Sequence, residues 1–210
     1  HTGIAETAGL LGGASPAVLR DAVIAPYSSG ELFALRVQNG RPLWSDTLTA
    51  IRRRDAVSAL SDIRGRPVID GERVYAISNS GRMVAIDLRT GARVWDTELA
   101  GGEQPWVAGD YVYVVTNDAV VVCLTAKEGL VRWVSPLRLY TNDRAKTGRI
   151  RWTGPTLAGD RLVLGGSNGE LLSLSPYTGK ILGRIQLPDG VSAPLAVADN
   201  TLYVLTDGAR

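Results

Sequence analysis

The chain is poor in the side chains that usually carry catalysis. Its only histidine is His1, which argues against a histidine-based triad and against a zinc site with several histidine ligands. Its only cysteine, Cys123, lies in the apolar run VVVCL and reads as a buried strand residue. One cysteine allows no disulfide within the chain, so the compartment cannot be read from it. No stretch approaches the ~20 unbroken apolar residues of a membrane-spanning helix. An excess of charge is missing too. Lys and Arg number 23 against 21 Asp and Glu, a net charge of +2, which argues against a general nucleic-acid binder. No helical 3.6-residue period of useful length appears. The first residue is not Met and no signal peptide opens the chain, which reads as a piece of something longer. At 210 residues it can bury a sizeable core, as one large or two small domains.

What the chain does have is a repeat. RVQNGRPLWSDTL contains Gly40 and Trp44, DLRTGARVWDTEL contains Gly91 and Trp95, and TAKEGLVRWVSPL contains Gly129 and Trp133. SPYTGKILGRIQL keeps Gly179 but has Gly183 in place of the tryptophan. The unit from Pro67 to Trp95 shows every part. Val68 and Ile69 start a strand, and Asp70-Gly71 is a tight hairpin signal. RVYAIS alternates, Asn79 to Gly81 turns, RMVAID is a third strand, RTG turns again, and ARVWDTEL is a fourth. A fifth unit begins at Ala193 and stops after its second strand.

The repeating glycines lie 51, 38 and 50 residues apart. A core unit of ~38 residues is close to the length of a four-stranded propeller blade. The reading is therefore one all-β, partial β-propeller over residues 1–210, with blades near 12–51, 64–101, 102–139 and 152–188 and a partial one at 191–210. Insertions fill 47–64 and 138–151. About four and a half blades leave open flanks, to be covered by another copy or by further chain. Each repeating glycine permits the turn before the fourth strand. Trp44, Trp95 and Trp133 then have two readings: a rivet reaching onto the neighbouring blade, or packing within their own sheet.

Other signals are weaker. GGSNGE (Gly165 to Glu170) lies between two strands and reads as a hairpin, since a phosphate loop needs a helix after it. Val94 to Asp96 contains a Trp-Asp pair that does not recur in the other units. Both insertions are basic: the first holds Arg52, Arg53, Arg54 and Arg64, the second runs from Arg138 to Arg151. They read as solvated loops, or as a positive rim that steers toward an acidic partner. Few aromatics are interleaved with these charges, which disfavours single-stranded nucleic acid.

The motif D-x-x-T-G-x-x-x-W at Asp87 to Trp95 resembles the tryptophan-docking repeat of PQQ-type propellers. LGGASPAV (Leu11 to Val18) and ALSDIRGRP running into the blade that ends at Trp95 resemble, within that group, the BamB family of propeller lipoproteins of the outer-membrane β-barrel assembly (BAM) machinery. The resemblance implies an eight-bladed propeller of which this chain is the C-terminal portion. It implies a non-enzymatic scaffold without cofactor, at the periplasmic face of the bacterial outer membrane. The lipid anchor would lie on an N-terminal cysteine outside this chain, since Cys123 is mid-strand.

The implied partner is the barrel-forming subunit, BamA, held through its periplasmic domains, with unfolded outer-membrane proteins as a second class. The implied contact loops are Leu10, Leu11 and Gly12 and Asp62, Ile63 and Arg64. Pro16 and Pro67, 51 residues apart, place the two loops at equivalent points before neighbouring blades. Leu11 and Arg64 depart from the family's arginine and acidic residue. Asp62 reads as an exposed acid available to a partner, or as the cap of its own turn. The alternative is a PQQ-dependent oxidoreductase, against which stand a single cysteine and the lack of an acidic cluster with metal-ligand spacing.

Overall fold

The structure, a computed structural model, describes residues 14–49 and 62–209. These form β-strands, turns and loops, with no helix among the described residues. The first sheet holds β1 (Ala17–Leu19), β2 (Ala22–Pro26), β3 (Glu31–Arg36) and β4 (Pro42–Thr47). The second holds β5 (Val68–Asp70), β6 (Arg73–Ile77), β7 (Met83–Asp87) and β8 (Arg93–Thr97). The third holds β9 (Trp106–Ala108), β10 (Tyr111–Val115), β11 (Val120–Thr125) and β12 (Val131–Pro136). After a small hairpin, β13 (Tyr140–Asn142) and β14 (Thr147–Arg149), comes the fourth sheet. It holds β15 (Trp152–Ala158), β16 (Arg161–Gly166), β17 (Glu170–Leu174) and β18 (Ile181–Gln186). The pair β19 (Ala196–Ala198) and β20 (Thr201–Tyr203) follows.

Within each sheet the strands pair antiparallel in chain order. The first strands of successive sheets are neighbours, β1 beside β5, β5 beside β9 and β9 beside β15. They therefore form the inner edge of a face-to-face stack, which is the arrangement of a propeller.

Alternation within the second strands explains why they read as unbroken apolar runs. Val74 and Ala76 pack toward the first sheet, while Tyr75 and Ile77 pack toward the third. Val112 and Val114 pack back toward the second sheet, and Tyr113 and Val115 toward the fourth. A strand covered on both faces has no polar side to show. Cys123 sits in the third of these layers, 1% exposed. Burial pushes its thiol up to about 11, so it behaves as a small apolar residue.

The five first hairpins share one construction. Each has a two-residue loop whose first residue has positive φ: Arg20, Gly71, Gly109, Gly159 and Asp199. In the second unit the loop is Gly71-Glu72, and Asp70 is paired with Arg73 as the end of β5. The turn thus lies one residue later than the Asp70-Gly71 signal suggests. The second insertion is not an irregular loop. Tyr140 pairs with Arg149 and Asn142 with Thr147, making the β13–β14 hairpin.

Candidate partner-docking face

The joints between sheets are built first by tryptophan. The Nε1–H of Trp44 donates to the Leu88 carbonyl of the next sheet at 2.8 Å. Trp95 donates to Ala126 at 3.0 Å, and Trp133 to Pro176 at 3.0 Å. Each ring also lies on the glycine of the next sheet's last turn. A Cβ added to Gly91 would sit 2.5 Å from Trp44, one on Gly129 2.6 Å from Trp95, and one on Gly179 2.5 Å from Trp133. The repeating glycine therefore has two duties. It takes positive φ (73°, 71° and 69° at these three positions), and it leaves room for the indole of the preceding sheet.

A further device aims each ring, and no residue pattern announces it. In all four complete sheets the third and fourth strands slip register at the same point. Ala34 faces Trp44 but Leu35 faces Pro42, so Leu43 bulges out. Val94, Arg132 and Leu182 are the equivalent bulged residues. A bulge bends its strand and re-aims the side chain beside it. The residue facing the tryptophan is small each time: Ala34, Ala85 and Cys123.

The connectors that enter the sheets after the first place Ile63, Leu99, Ile150 and Val191 in the apolar layers between successive sheets. In the second, third and fourth sheets the second-to-third-strand turn donates a backbone N–H to the connector, Asn79 to Asp62, Asn117 to Ala100 and Ser167 to Arg151, and Asp207, just after β20, donates likewise to Gly190. This position corrects the expectation of an exposed Asp62. Asp62 is 2% exposed and Ile63 is 1% exposed, with Ile63 packed in the layer between the first and second sheets. Of that trio, Arg64 alone reaches solvent. Leu10, Leu11 and Gly12 lie outside the described residues, as do Arg52, Arg53 and Arg54 of the first basic insertion.

Arg64 stands at the rim of a cavity of about 370 Å³. Its wall comes from the connectors and inner strands of four successive units, with Arg64 and Gly65, Gly102 to Gln104, Trp106, Gly154 to Thr156, and Ser192. Gly65 is required there, because a side chain would run into the backbone carbonyl of Glu103. Burial raises the pKa of the Glu103 carboxyl above its usual value. A hydrogen bond from the Gly154 backbone and the charge of Arg64 oppose that rise. Arg64 thus serves as a partial counter-charge to Glu103 as well as an exposed cation.

The β13–β14 hairpin stands near this end, since Arg149 donates to the carbonyl of Asn117, whose own N–H holds the connector. Arg138 bonds the carbonyl of Thr141 within the hairpin. Sequence reading missed Glu103. The available signal was its place in GGEQP, two residues before Pro105, where the preceding connector has Gly65 before Pro67. Among the described residues no group of His, Cys, Asp and Glu is arranged to hold a metal ion, and no helix is long and apolar enough to cross a membrane.

The family described as outer membrane protein assembly factor BamB matches residues 1–135 of the chain. The chain is 30% identical over 193 residues to outer membrane protein assembly factor BamB of Legionella pneumophila, covering 92% of this chain and 48% of that protein. It is 31% identical over 181 residues to the protein of the same name from Xanthomonas campestris, covering 85% and 42%. The chain thus spans about half the length of the curated relatives it matches. Among solved structures, BamB from Moraxella catarrhalis superposes with a TM-score of 0.85 at 23% identity, over 100% of this chain and 60% of that one. Quinohemoprotein alcohol dehydrogenase from Comamonas testosteroni superposes at 0.70 and 17% identity, over 93% and 39%. These two likenesses share the fold, a β-propeller of which this chain is a part. With the repeat, the stacked sheets and the match over residues 1–135, the chain belongs to the family of outer membrane protein assembly factor BamB.

Proposed function

We propose that the chain is part of a non-enzymatic scaffold of outer-membrane protein assembly, working at the periplasmic face of that membrane. The observation that carries this reading is family membership, together with a connector face on which four units converge around Arg64. On this reading the face holds the periplasmic domains of the barrel-forming subunit, BamA. Arg64 makes a direct contact, joined by Leu10, Leu11 and Gly12 of the preceding connector. Asp62 and Ile63 act from within, fixing the loop that presents Arg64. An acidic patch on the partner suits this face, since charge complementarity steers association and fixes register.

The test is capture of the barrel subunit's periplasmic domains by the protein. Arg64→Glu should reduce capture at least ~10-fold, a loss of about 1.4 kcal/mol, with the protein still folded but melting somewhat lower, because the change also sets a second carboxylate beside Glu103. Asp62→Arg should instead unfold or strongly destabilise the protein, by about 3 kcal/mol or more, because it puts an unpaired cation in a buried place. Undiminished capture by Arg64→Glu would overturn the site. Saturable quinone binding with dye reduction would overturn the scaffold reading in favour of an oxidoreductase.

A further inference from the structure

The connector between the third and fourth sheets differs from its neighbours in charge. Residues 138–151 carry five cations, Arg138, Arg144, Lys146, Arg149 and Arg151, against the single acid Asp143. That is a net +4 in 14 residues, and it leaves the other 196 residues at −2. The connectors at 98–105 and 187–195 contain no Lys or Arg. Every residue from Thr141 to Arg149 is exposed.

The segment is anchored at its root and bare at its tip. Ile150 is buried in the layer between the third and fourth sheets, with Leu139 packed against the same layer. The Ile150 N–H donates to the Leu139 carbonyl at 2.8 Å, and the Trp152 indole donates to the Arg138 carbonyl at 2.8 Å. Beyond this root the β13–β14 pairing, closed by a 3.0 Å bond from the Ala145 N–H to Asn142 Oδ1, carries the chain outward by roughly 13 Å. Arg149 is held to the Asn117 carbonyl at 2.7 Å, and Arg138 is paired with Asp143 at 3.9 Å. The side chains of Arg144, Lys146 and Arg151 have no hydrogen bond or ion pair among the described residues.

We infer that the β13–β14 hairpin is a membrane-surface contact, seating its cations on the headgroups of an anionic phospholipid bilayer. Two features favour a bilayer over an acidic protein. A protein interface is anchored by large apolar or aromatic side chains at its centre, and from Thr141 to Arg149 the one hydrocarbon side chain is the methyl of Ala145. Unfixed cations on a projecting tip also need no exact register, because a charged leaflet attracts each of them wherever it lies within a Debye length. The net negative remainder of the chain is repelled by the same leaflet, so the field orients the protein hairpin first. Arg149 ties the hairpin to the connector end, where Arg64 stands. An end that grips the periplasmic domains of a barrel subunit is turned toward the membrane that holds the barrel, and for the identity of that membrane alone the inference rests on the proposed function.

The test is sedimentation of the 210-residue protein with vesicles of phosphatidylcholine, alone or with about one part in four of phosphatidylglycerol. Binding should require phosphatidylglycerol and weaken steeply with added salt. Arg144→Gln with Lys146→Gln should weaken it at least about ten-fold, since each cation near such a surface is worth roughly five-fold. The melting temperature should stay within about 2 °C of the parent. Lys127→Gln with Lys180→Gln removes the same charge from the third-to-fourth-strand turns at the opposite end, and should change binding less than about two-fold. Capture of the barrel subunit's periplasmic domains by the hairpin variant should stay within about two-fold of the parent, so the docking face and the membrane contact can fail separately. Binding that does not need phosphatidylglycerol, or equal loss from the two double variants, would overturn the membrane contact. Lost capture with unchanged vesicle binding would also overturn it and give the hairpin to an acidic partner.

Discussion

The joint between the second and third sheets and the joint between the fourth sheet and the β19–β20 pair use the same plan with one part exchanged. At the first, Trp95 is 8% exposed and leans on Tyr75, with ring centroids 6.0 Å apart. Its Nε1–H meets the Ala126 carbonyl, which also accepts from Arg73 at 2.7 Å and from the Tyr75 hydroxyl at 3.3 Å. Three donors from one sheet thus converge on one backbone oxygen of the next. At the second, Gly183 replaces the indole, and among the described residues Val163, Val191 and Leu195 form the buried layer, with Leu171, Leu187 and Leu202 partly buried against it. Outside it, Ile185 is 60% exposed and Tyr203 is 55% exposed. The bulge beside Gly183 persists at Leu182, so the strand is still shaped to aim a ring it does not have. Strand geometry and joint strength are therefore separate properties. The sheet supplies the first, and one side chain supplies much of the second.

Trp95→Ala converts the strong joint toward the weak kind and should have the largest effect. Loss of a buried tryptophan costs about 3–5 kcal/mol, read as a lower denaturation midpoint with an unchanged slope. A smaller loss is expected at the first joint from Arg93→Ala. Arg93 grips Asp46 through two bonds of 2.7 Å, the Thr47 carbonyl at 2.8 Å and Asp96 at 2.9 Å. Hydrogen bonding to Asp46 raises its pKa further. Since the group is part-exposed, the expected cost is about 1 kcal/mol, and it should shrink in high salt.

Glu103→Gln should change stability in the opposite direction. Its folded pKa is raised by burial, so the folded state holds the proton more tightly than the unfolded one. The favourable contribution is present below the unfolded value of about 4.5 and is lost as pH rises through the folded pKa. At pH 7 the glutamine variant should melt higher than the parent, and below pH 4 the two should converge. Gly183→Trp should change least. The turn it would dock on is the one between the third and fourth strands of the fifth unit, and among the described residues that unit is represented by β19 and β20, so a melting shift under about 2 °C is expected.

The sequence made the repeat legible because it is written in residues with one job each. Glycine at positive φ, a two-residue hairpin loop and a large ring at fixed spacing leave few alternatives. Strand order followed from short connections. What escaped was set by neighbours distant in the chain. Asp62 looked like a surface acid because charge and loop position suggested it, but the connector is held between two sheets and bonded to Asn79. Glu103 and Arg64 lie 39 residues apart and meet only where successive connectors converge. The basic hairpin at 138–151 has no apolar alternation, so its pairing came from Tyr140 and Arg149 across a turn, which a pattern search does not detect. The bulge before each tryptophan leaves no mark in composition.

The central claim is that each tryptophan and the glycine turn of the following sheet act as one unit. A double-mutant cycle on Trp95 and Gly129 tests it most directly. In the parent, Gly129→Ala should cost about 2–4 kcal/mol, from strain at positive φ and from collision with the ring. In the Trp95→Ala background the collision is gone, and the same change should cost only about 1 kcal/mol from the backbone. The account predicts a coupling of at least about 1 kcal/mol between the two sites. Strictly additive losses would contradict it.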